Sequence, residues 1–326
     1  MCETSPAKKP GECDLSIVIV SWRVRGLLRQ CLASLECEGV GLEKEVVVVD
    51  NCSDDGTAEM VREEFPRVNL IVNEENAGFS RACNQGYRQT AGRYLLFLNP
   101  DAVVLPESLG AMIRFAETHP ACGVIGPAVF QGDGMTFDES CVRRLPRLSE
   151  ELLRLTGIGA LARRMPLCSR FCAPARRMEE ATVAESVSGC CMLVRREAFE
   201  DVGLFDERFH LYAEDHDLCA RMRKNLWQVW HLPEAKVVHH GDRSGLQNPY
   251  GTRREHLHSH FLYYRKHSGL LAAVLYRLGV GIISAFLLTL NLGRRMAFRW
   301  HRTALEWALK GRRAPDACAV RPGREA

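Results

Sequence analysis

The chain has 326 residues, 46% hydrophobic and 25% charged, with 26 Gly and 14 Pro, which excludes a disordered, collagenous or low-complexity protein. At roughly 150 residues per domain the length fits two domains, or one α/β domain of about 250 residues with an appendage. The formal net charge of +3 is uneven: residues 253–326 carry 14 Lys+Arg against 4 Asp+Glu, leaving 29 against 36 in residues 1–252, so an acidic body ends in a basic tail suited to an anionic surface.

Residues 1–14 hold Lys8, Lys9, Pro10 and Gly11 and no apolar h-region, which predicts a cytoplasmic protein rather than a secreted one. The fourteen Cys are scattered through apolar runs, as in Cys31, Cys83, Cys122 and Cys219, and read as buried thiols rather than a disulfide framework. Cys168 and Cys172 with the adjacent pair Cys190 and Cys191 have poor spacing for zinc.

Residues 15–21 (LSIVIVS), 45–50 (EVVVVD), 70–73 and 93–98 are short apolar runs without alternation, the pattern of strands covered on both faces of a parallel sheet. Between the first two, Leu27, Leu28, Cys31, Leu32 and Leu35 make an apolar stripe of helical period. A later helix starts near Pro106, buries Leu109, Met112, Ile113 and Ala116, and ends near His119-Pro120. Alternating strand and helix predicts a Rossmann-like half. Residues 143–177 contain nine Arg and two acidic residues and read as a mobile basic loop. Then come a strand over 186–194, a helix near 196–201, a polar cluster over 205–221, and two closing strands over 227–231 and 235–239.

Beyond Arg253 the sequence turns helical. Residues 278–293 are 16 uncharged positions, about 24 Å of helix, short of a hydrocarbon core of roughly 30 Å. Extension back to Gly269 reaches 25 residues but takes in Arg277, which costs up to about 3 kcal/mol if placed deep in a bilayer. Arg294, Arg295, Arg299, Trp300 and Trp307 read as interfacial anchors. An in-plane or shallowly inserted helix pair is expected ahead of a span, with a buried core helix or dimer contact as the bland alternative.

No Gly-x-Gly-x-x-Gly, Gly-Lys-Ser/Thr, Gly-x-Ser-x-Gly or His-Glu-x-x-His motif occurs, so dinucleotide, P-loop, serine-hydrolase and zincin chemistry lose their main support. Acidic residues instead close predicted strands, where an open α/β sheet places its ligand. Asp50 ends the second strand and can accept a hydrogen bond from a nucleobase imide, whereas Ser53, Asp54 and Asp55 read as helix caps. Asn99-Pro100-Asp101 follows the fourth strand; a carboxylate there can hold a divalent cation against a diphosphate, although the tripeptide is also an ordinary turn. In Glu214-Asp215-His216-Asp217 a carboxylate can act as general base or simply start a solvated helix. His239 can be a metal ligand or a structural residue, and His256, His258 and His260 read as surface residues of a basic helix.

Together these segments, with Asn76-Ala77-Gly78-Phe79-Ser80-Arg81-Ala82-Cys83-Asn84-Gln85-Gly86, Gly203-Leu204-Phe205-Asp206-Glu207 and His239-His240-Gly241, resemble the inverting glycosyltransferases of family 2, especially their rhamnosyltransferase-like branch. The resemblance runs over residues 15–266. It implies a GT-A fold, Rossmann-like with a mostly parallel central sheet flanked by helices, and the basic, apolar stretch beyond reads as a helical, membrane-associated extension. The implied organisation is a disordered start (1–14), a glycosyltransferase domain (15–252) divided into a nucleotide-binding half (15–101) and an acceptor half (102–252), a helical membrane region (253–310) and a disordered tail (311–326).

The resemblance implies a nucleotide-diphosphate sugar donor and Mg²⁺ or Mn²⁺, while the basic, apolar C-terminal stretch points to an anionic membrane surface and a lipid-linked or polysaccharide acceptor, with homo-oligomers possible and no nucleic acid expected. By matching positions, Asp50 contacts the base, Arg81 approaches the nucleotide, Asn99 and Asp101 take the D-x-D position, Glu214 borders the substrate, Asp215 is the catalytic base and His239 joins the metal shell. Two departures stand out: Arg23 where the family usually has Asn, and Gly241-Asp242 for a common Gly-Gly. Two other readings, a sugar nucleotidyltransferase and a non-catalytic nucleotide-sugar-binding scaffold, fit less well: the first lacks its Gly-rich loop at residues 21–26, and the second leaves Asp101, Asp215 and His239 unexplained.

Overall fold

The computed structural model describes residues 13–36, 38, 41–156, 179–241, 248–290 and 295–311. Most of the basic loop, the residues Cys168, Cys172, Asp242 and Arg294, and nearly all of both expected disordered ends lie outside them.

The first half alternates strand and helix: β1 (Leu15–Ser21), α1 (Arg25–Glu36), β2 (Lys44–Asp50), α2 (Thr57–Glu64), β3 (Asn69–Val72), α3 (Phe79–Tyr87) and β4 (Tyr94–Leu98). All of β1 and β4 is buried, because helices cover both faces of the sheet. The stripe read from the sequence is the inward face of α1, with Leu28, Cys31, Leu32 and Leu35 buried. There follow β5 (Ala102–Val104), α4 (Ser108–Thr118), β6 (Cys122–Gln131), β7 (Val142–Arg143), α5 (Leu148–Leu155), β8 (Thr182–Val183), β9 (Ser186–Val187), β10 (Cys191–Arg195), α6 (Arg196–Asp201), α7 (Glu214–Lys224) and β11 (Gln228–His239). The main sheet runs β3-β2-β1-β4-β10-β6-β11-β5, with β8 also on β11. β1, β2, β3 and β4 are parallel, as are β6 and β11, while β10 runs antiparallel to β4 and β6. The sheet is thus mostly parallel, and β10 begins at the edge where β1, β2 and β4 end.

Three expectations are corrected. Residues 186–194 are not one strand: β9 pairs with β7 in a separate two-stranded sheet, and a turn at Ser188–Cys190 leads into β10. Residues 227–239 are not two strands but one, β11, with a register shift between Leu232 and Lys236; Pro233 lies in that bulge, where a residue without a backbone donor is tolerated. Within the basic loop, residues 148–155 form the helix α5.

The C-terminal helices are α8 (Pro249–His267), α9 (Gly269–Leu290) and α10 (Arg295–Lys310). They enclose a second core of Leu257, Tyr263, Tyr264, Ala273, Tyr276, Val280, Ala304 and Trp307, against which Leu148, Leu152 and Leu155 of α5 pack. Trp307, expected as an interfacial anchor, is only 2% exposed and belongs to this core. Arg277 does not interrupt an apolar face either, since its guanidinium donates to the carbonyls of Ala308 and Leu309 at the end of α10, a favourable place for a cation. α9 is therefore two-sided. Ala273, Tyr276, Val280 and Ser284 are buried, while Leu271, Leu278, Ile282, Phe286 and Leu290 are exposed.

Candidate functional site

The carboxyl ends of β1, β2 and β4 gather Ser21, Asp50 and the turn after Leu98 along one edge of the sheet. Asp50 is fully buried; the Ser53 backbone N–H donates to Oδ2 at 3.3 Å, and Oδ1 has no partner. Burial, outweighing the Ser53 hydrogen bonds, raises its carboxyl above the usual range. An orphaned acceptor in this position suits a donor such as a nucleobase imide. The three neighbours read as caps mostly tie two loops together: Ser53 Oγ accepts from the Arg23 N–H at 2.8 Å, Asp54 pairs with the Arg23 guanidinium at 2.7 Å, and Asp55 accepts from the first residue of α1, Arg25, at 3.0 Å. Only Asp55 also caps α2, through Thr57. Arg23, in a left-handed conformation (φ 52), is thus held by the loop that follows β2. Arg81 is exposed, 3.8 Å from Glu75, and does not line the cavity described next.

A cavity of about 570 Å³ opens beside this edge, lined by Asn99, Gly189, Glu214, Asp215 and His239 together with Arg143, Arg144, Arg147, Glu151, Arg154, His256 and His260. Behind the wall of Asn99 and His239, the buried Asp101 places Oδ1 3.2 Å from His239 Nε2, and Asn99 Nδ2 lies 3.4 Å from the same nitrogen. The pairing of β11 with β5 sets His239 opposite Ala102, which fixes this approach. A buried carboxylate, an imidazole and an amide form a donor set of the kind Mg²⁺ or Mn²⁺ accepts when a diphosphate completes the shell, so Asp101, His239 and Asn99 fit the implied ion.

At the other wall α7 begins. Tyr212 (φ 69) and Ala213 (φ 61) are consecutive non-glycine residues in the left-handed region, a strain of order 1–3 kcal/mol each that the surroundings must hold. That turn aims Glu214 and Asp215 into the cavity. Asp215 Oδ2 accepts from the Gly189 N–H at 3.1 Å and faces Arg143 at 3.5 Å, while Oδ1 accepts from the His216 N–H at 2.7 Å. Burial opposes ionisation, but His216, Arg143 and the two N–H donors prevail and hold Asp215 below the usual carboxylate range. Burial, with Asp215 next to it, pushes Glu214 up to about 8, and its Oε2 has no partner. Near neutrality one acid is ionised and its neighbour protonated. Asp217 is fully buried and spent on Arg221 of its own helix and on Lys266 and His267, the last two tying α7 to α8.

Several lining residues were not singled out from the sequence. Arg143 was one basic residue among nine. His216, whose Nδ1 lies 2.9 Å from Ser186 Oγ, is pushed down to about 4 by burial. His256 and His260, expected at the surface, face the cavity, and burial lowers both. Their spacing of four on α8 was the available signal, since it puts both on one face. With Glu151 they place three ligand atoms within 4.8 Å of one another. Arg154 already holds both Glu151 oxygens, at 3.0 and 2.6 Å, so this group is balanced without a cation.

The description Glycosyl transferase family 2 matches residues 16–203. The N-acetylglucosaminyl-diphospho-decaprenol L-rhamnosyltransferase of Mycobacterium tuberculosis H37Rv is 31% identical over 273 residues, covering 78% of this chain and 85% of that protein. The rhamnosyltransferase WbbL of Escherichia coli K12 is 28% identical, over 54% of this chain and 63% of that protein. Among solved structures, the Pyrobaculum calidifontis mannosyltransferase PcManGT in complex with GDP-Man and Mn²⁺ superposes with a TM-score of 0.53 at 18% identity, covering 93% of this chain and 91% of that one. GalNAc-T7 with UDP, GalNAc and Mn²⁺ gives 0.54 at 14% identity, covering 91% and 56%. These superpositions show a shared fold.

Proposed function

The chain belongs to glycosyl transferase family 2, and from that premise we propose that it moves a hexose, rhamnose or a close relative, from a nucleotide-diphosphate sugar to a hydroxyl of a lipid-linked or polysaccharide acceptor, with inversion at the anomeric carbon. The observation that carries this reading is one cavity bounded by Asn99 and His239 on one side and by an ionised Asp215 on the other. The acceptor class follows the Mycobacterium tuberculosis relative, whose name specifies a diphospho-decaprenol. The enzyme acts at the cytoplasmic face of a membrane, where α9 offers its apolar side.

Asp50 receives the base of the donor at its orphaned Oδ1. Asp101, His239 and Asn99 would hold Mg²⁺ or Mn²⁺, which would offset the charge of the leaving diphosphate. Asp215 takes the proton from the attacking acceptor hydroxyl. The Gly189 N–H and Arg143 fix one oxygen of Asp215 and keep it ionised, while protonated Glu214 leaves it the only base of the pair. A single in-line displacement needs no covalent glycosyl-enzyme.

Turnover of a panel of UDP-, dTDP- and GDP-sugars, with NMR of the product's anomeric configuration and an EDTA arm, tests the reading. Asp215→Asn should lower the rate by at least about 100-fold while donor binding stays nearly constant. A retained configuration, full activity in EDTA, or an active Asp215→Asn beside a dead Glu214→Gln overturns the corresponding part.

A further inference from the structure

Four arginines line the cavity beside Glu150, Glu151, Glu214 and Asp215, and they are matched unequally. Arg143 faces Asp215 and Arg154 is matched to Glu151. Arg147 is exposed and has carboxylates only at 3.6 and 3.8 Å, from Glu185 and Glu150, beyond good hydrogen-bond length. Arg144 is also exposed, and no carboxylate among the described residues pairs with it. Two guanidinium groups, Arg144 with no carboxylate partner among the described residues and Arg147 held loosely between two, therefore stand on the exposed part of the lining, three residues apart and just before α5.

α5 connects this lining to the apolar helix. Glu150, Glu151 and Arg154 line the cavity, while Leu148, Leu152 and Leu155 enter the second core. The contact with α9 is close: a Cβ built on Gly279 would lie 2.5 Å from Leu152 Cδ2. Only the thickness of one helix, about 10 Å, separates the basic lining from α9, which exposes Leu271, Leu278 and Ile282 on the side adjoining Gly279.

We infer that Arg144 and Arg147 form a subsite for the diphosphate of a lipid-linked acceptor, whose hydrocarbon leaves towards the exposed face of α9. The inference rests on the glycosyl-transfer reading above and names the part of the acceptor that the arginines recognise. A guanidinium fork matches phosphate oxygens in pairs, and a sugar joined to a hydrocarbon through diphosphate presents anion and apolar chain in the order that lining, α5 and α9 present cation and apolar surface. A soluble neutral glycan would use neither. The donor's own diphosphate is assigned to the wall of Asp101 and His239, which leaves these two arginines without a donor role.

The test uses the full chain in detergent micelles with two acceptors, N-acetylglucosamine linked through diphosphate to a short polyprenol and the octyl glycoside of the same sugar. The native chain should prefer the diphosphate acceptor by about 100-fold or more in kcat/KM, and Arg144→Ala/Arg147→Ala should cut that ratio at least tenfold, mainly through KM. Arg144→Lys/Arg147→Lys should recover part of the ratio, and Arg62→Ala, on α2, should not change it. Nucleoside diphosphate affinity should stay within twofold in all variants. A native ratio near one, or an unchanged ratio in the alanine variant, overturns the subsite while leaving glycosyl transfer standing. A loss of nucleoside diphosphate affinity assigns the arginines to the donor and overturns it as well. Transfer to neither acceptor from any donor, although the chain hydrolyses or transfers a nucleotide sugar elsewhere, overturns the lipid-diphosphate acceptor and leaves glycosyl transfer standing.

Discussion

Glu214 and Asp215 are adjacent carboxyl groups held in opposite states, and the raised one has a measurable signature. Unfolded, Glu214 loses its proton near the ordinary value of about 4.3; folded, it keeps the proton up to about 8. Between those values the folded chain binds a proton that the unfolded chain does not, so this group's contribution is fully present below about pH 4.3 and is lost as pH rises to 8. Glu214→Gln removes that slope. Thermal unfolding at pH 5 and pH 8.5 should show the variant gaining on the native chain at the higher pH, and an identical pair of shifts would mean Glu214 ionises within the fold. The strand-end residues Asp50, Asn99, Asp101 and His239 were legible because an apolar run points to its own last residue. Arg143 was not, because it reaches the cavity through a tertiary contact of β7 that no local pattern encodes, and the spacing of His256 and His260 puts both on one face of α8 without saying what that face meets.

Among elements, α5 shows how sequence reading stops short. Its eight residues lie in an arginine-rich stretch, and the leucines at 148, 152 and 155 look like interruptions until α9 is placed against them. The same holds for residues 186–195: the apolar run reads as one strand, yet Gly189 breaks it, and a Cβ there would meet Asp215 Cβ at 3.3 Å. The site divides β9 from β10. β1, β2, β4 and α1 were recovered almost to the residue, since burial on both faces and a helical stripe are local signals. Contact between α5 and α9 predicts that Gly279→Ala, which puts a methyl group against Leu152, costs about 1–3 kcal/mol through overpacking. Urea denaturation should show the lower midpoint, and adding Leu152→Ala should recover part of it; an unchanged midpoint for Gly279→Ala would mean the two helices part without cost.

At the scale of the molecule, the sheet and the C-terminal bundle have separate cores joined by α5 and by Phe209 and Ala213, which belong to the second core just before α7. One face of α9 is buried core, as the alternative reading expected, and the other is apolar and exposed, where membrane contact is the proposal. Truncation at 269 would strip Tyr276, Val280 and Trp307 from Tyr264 and α5, so a surface substitution is the cleaner probe. The full chain should float with anionic vesicles, partly resisting high salt because apolar burial is not screened. Leu278→Glu/Ile282→Glu, which alters only exposed positions, should leave binding that salt reverses completely. Equal flotation of the two chains at high salt would assign that face to another protein surface.

The exposed side of α9 also changes what concentration means for this enzyme. With the proposed docking and acceptor, the chain would meet its substrate by lateral diffusion in a plane, and its rate would be set by the acceptor's mole fraction among the lipids rather than by its amount per volume. Adding inert phospholipid at constant acceptor should then slow each bound enzyme by surface dilution, although nothing in the cavity has changed.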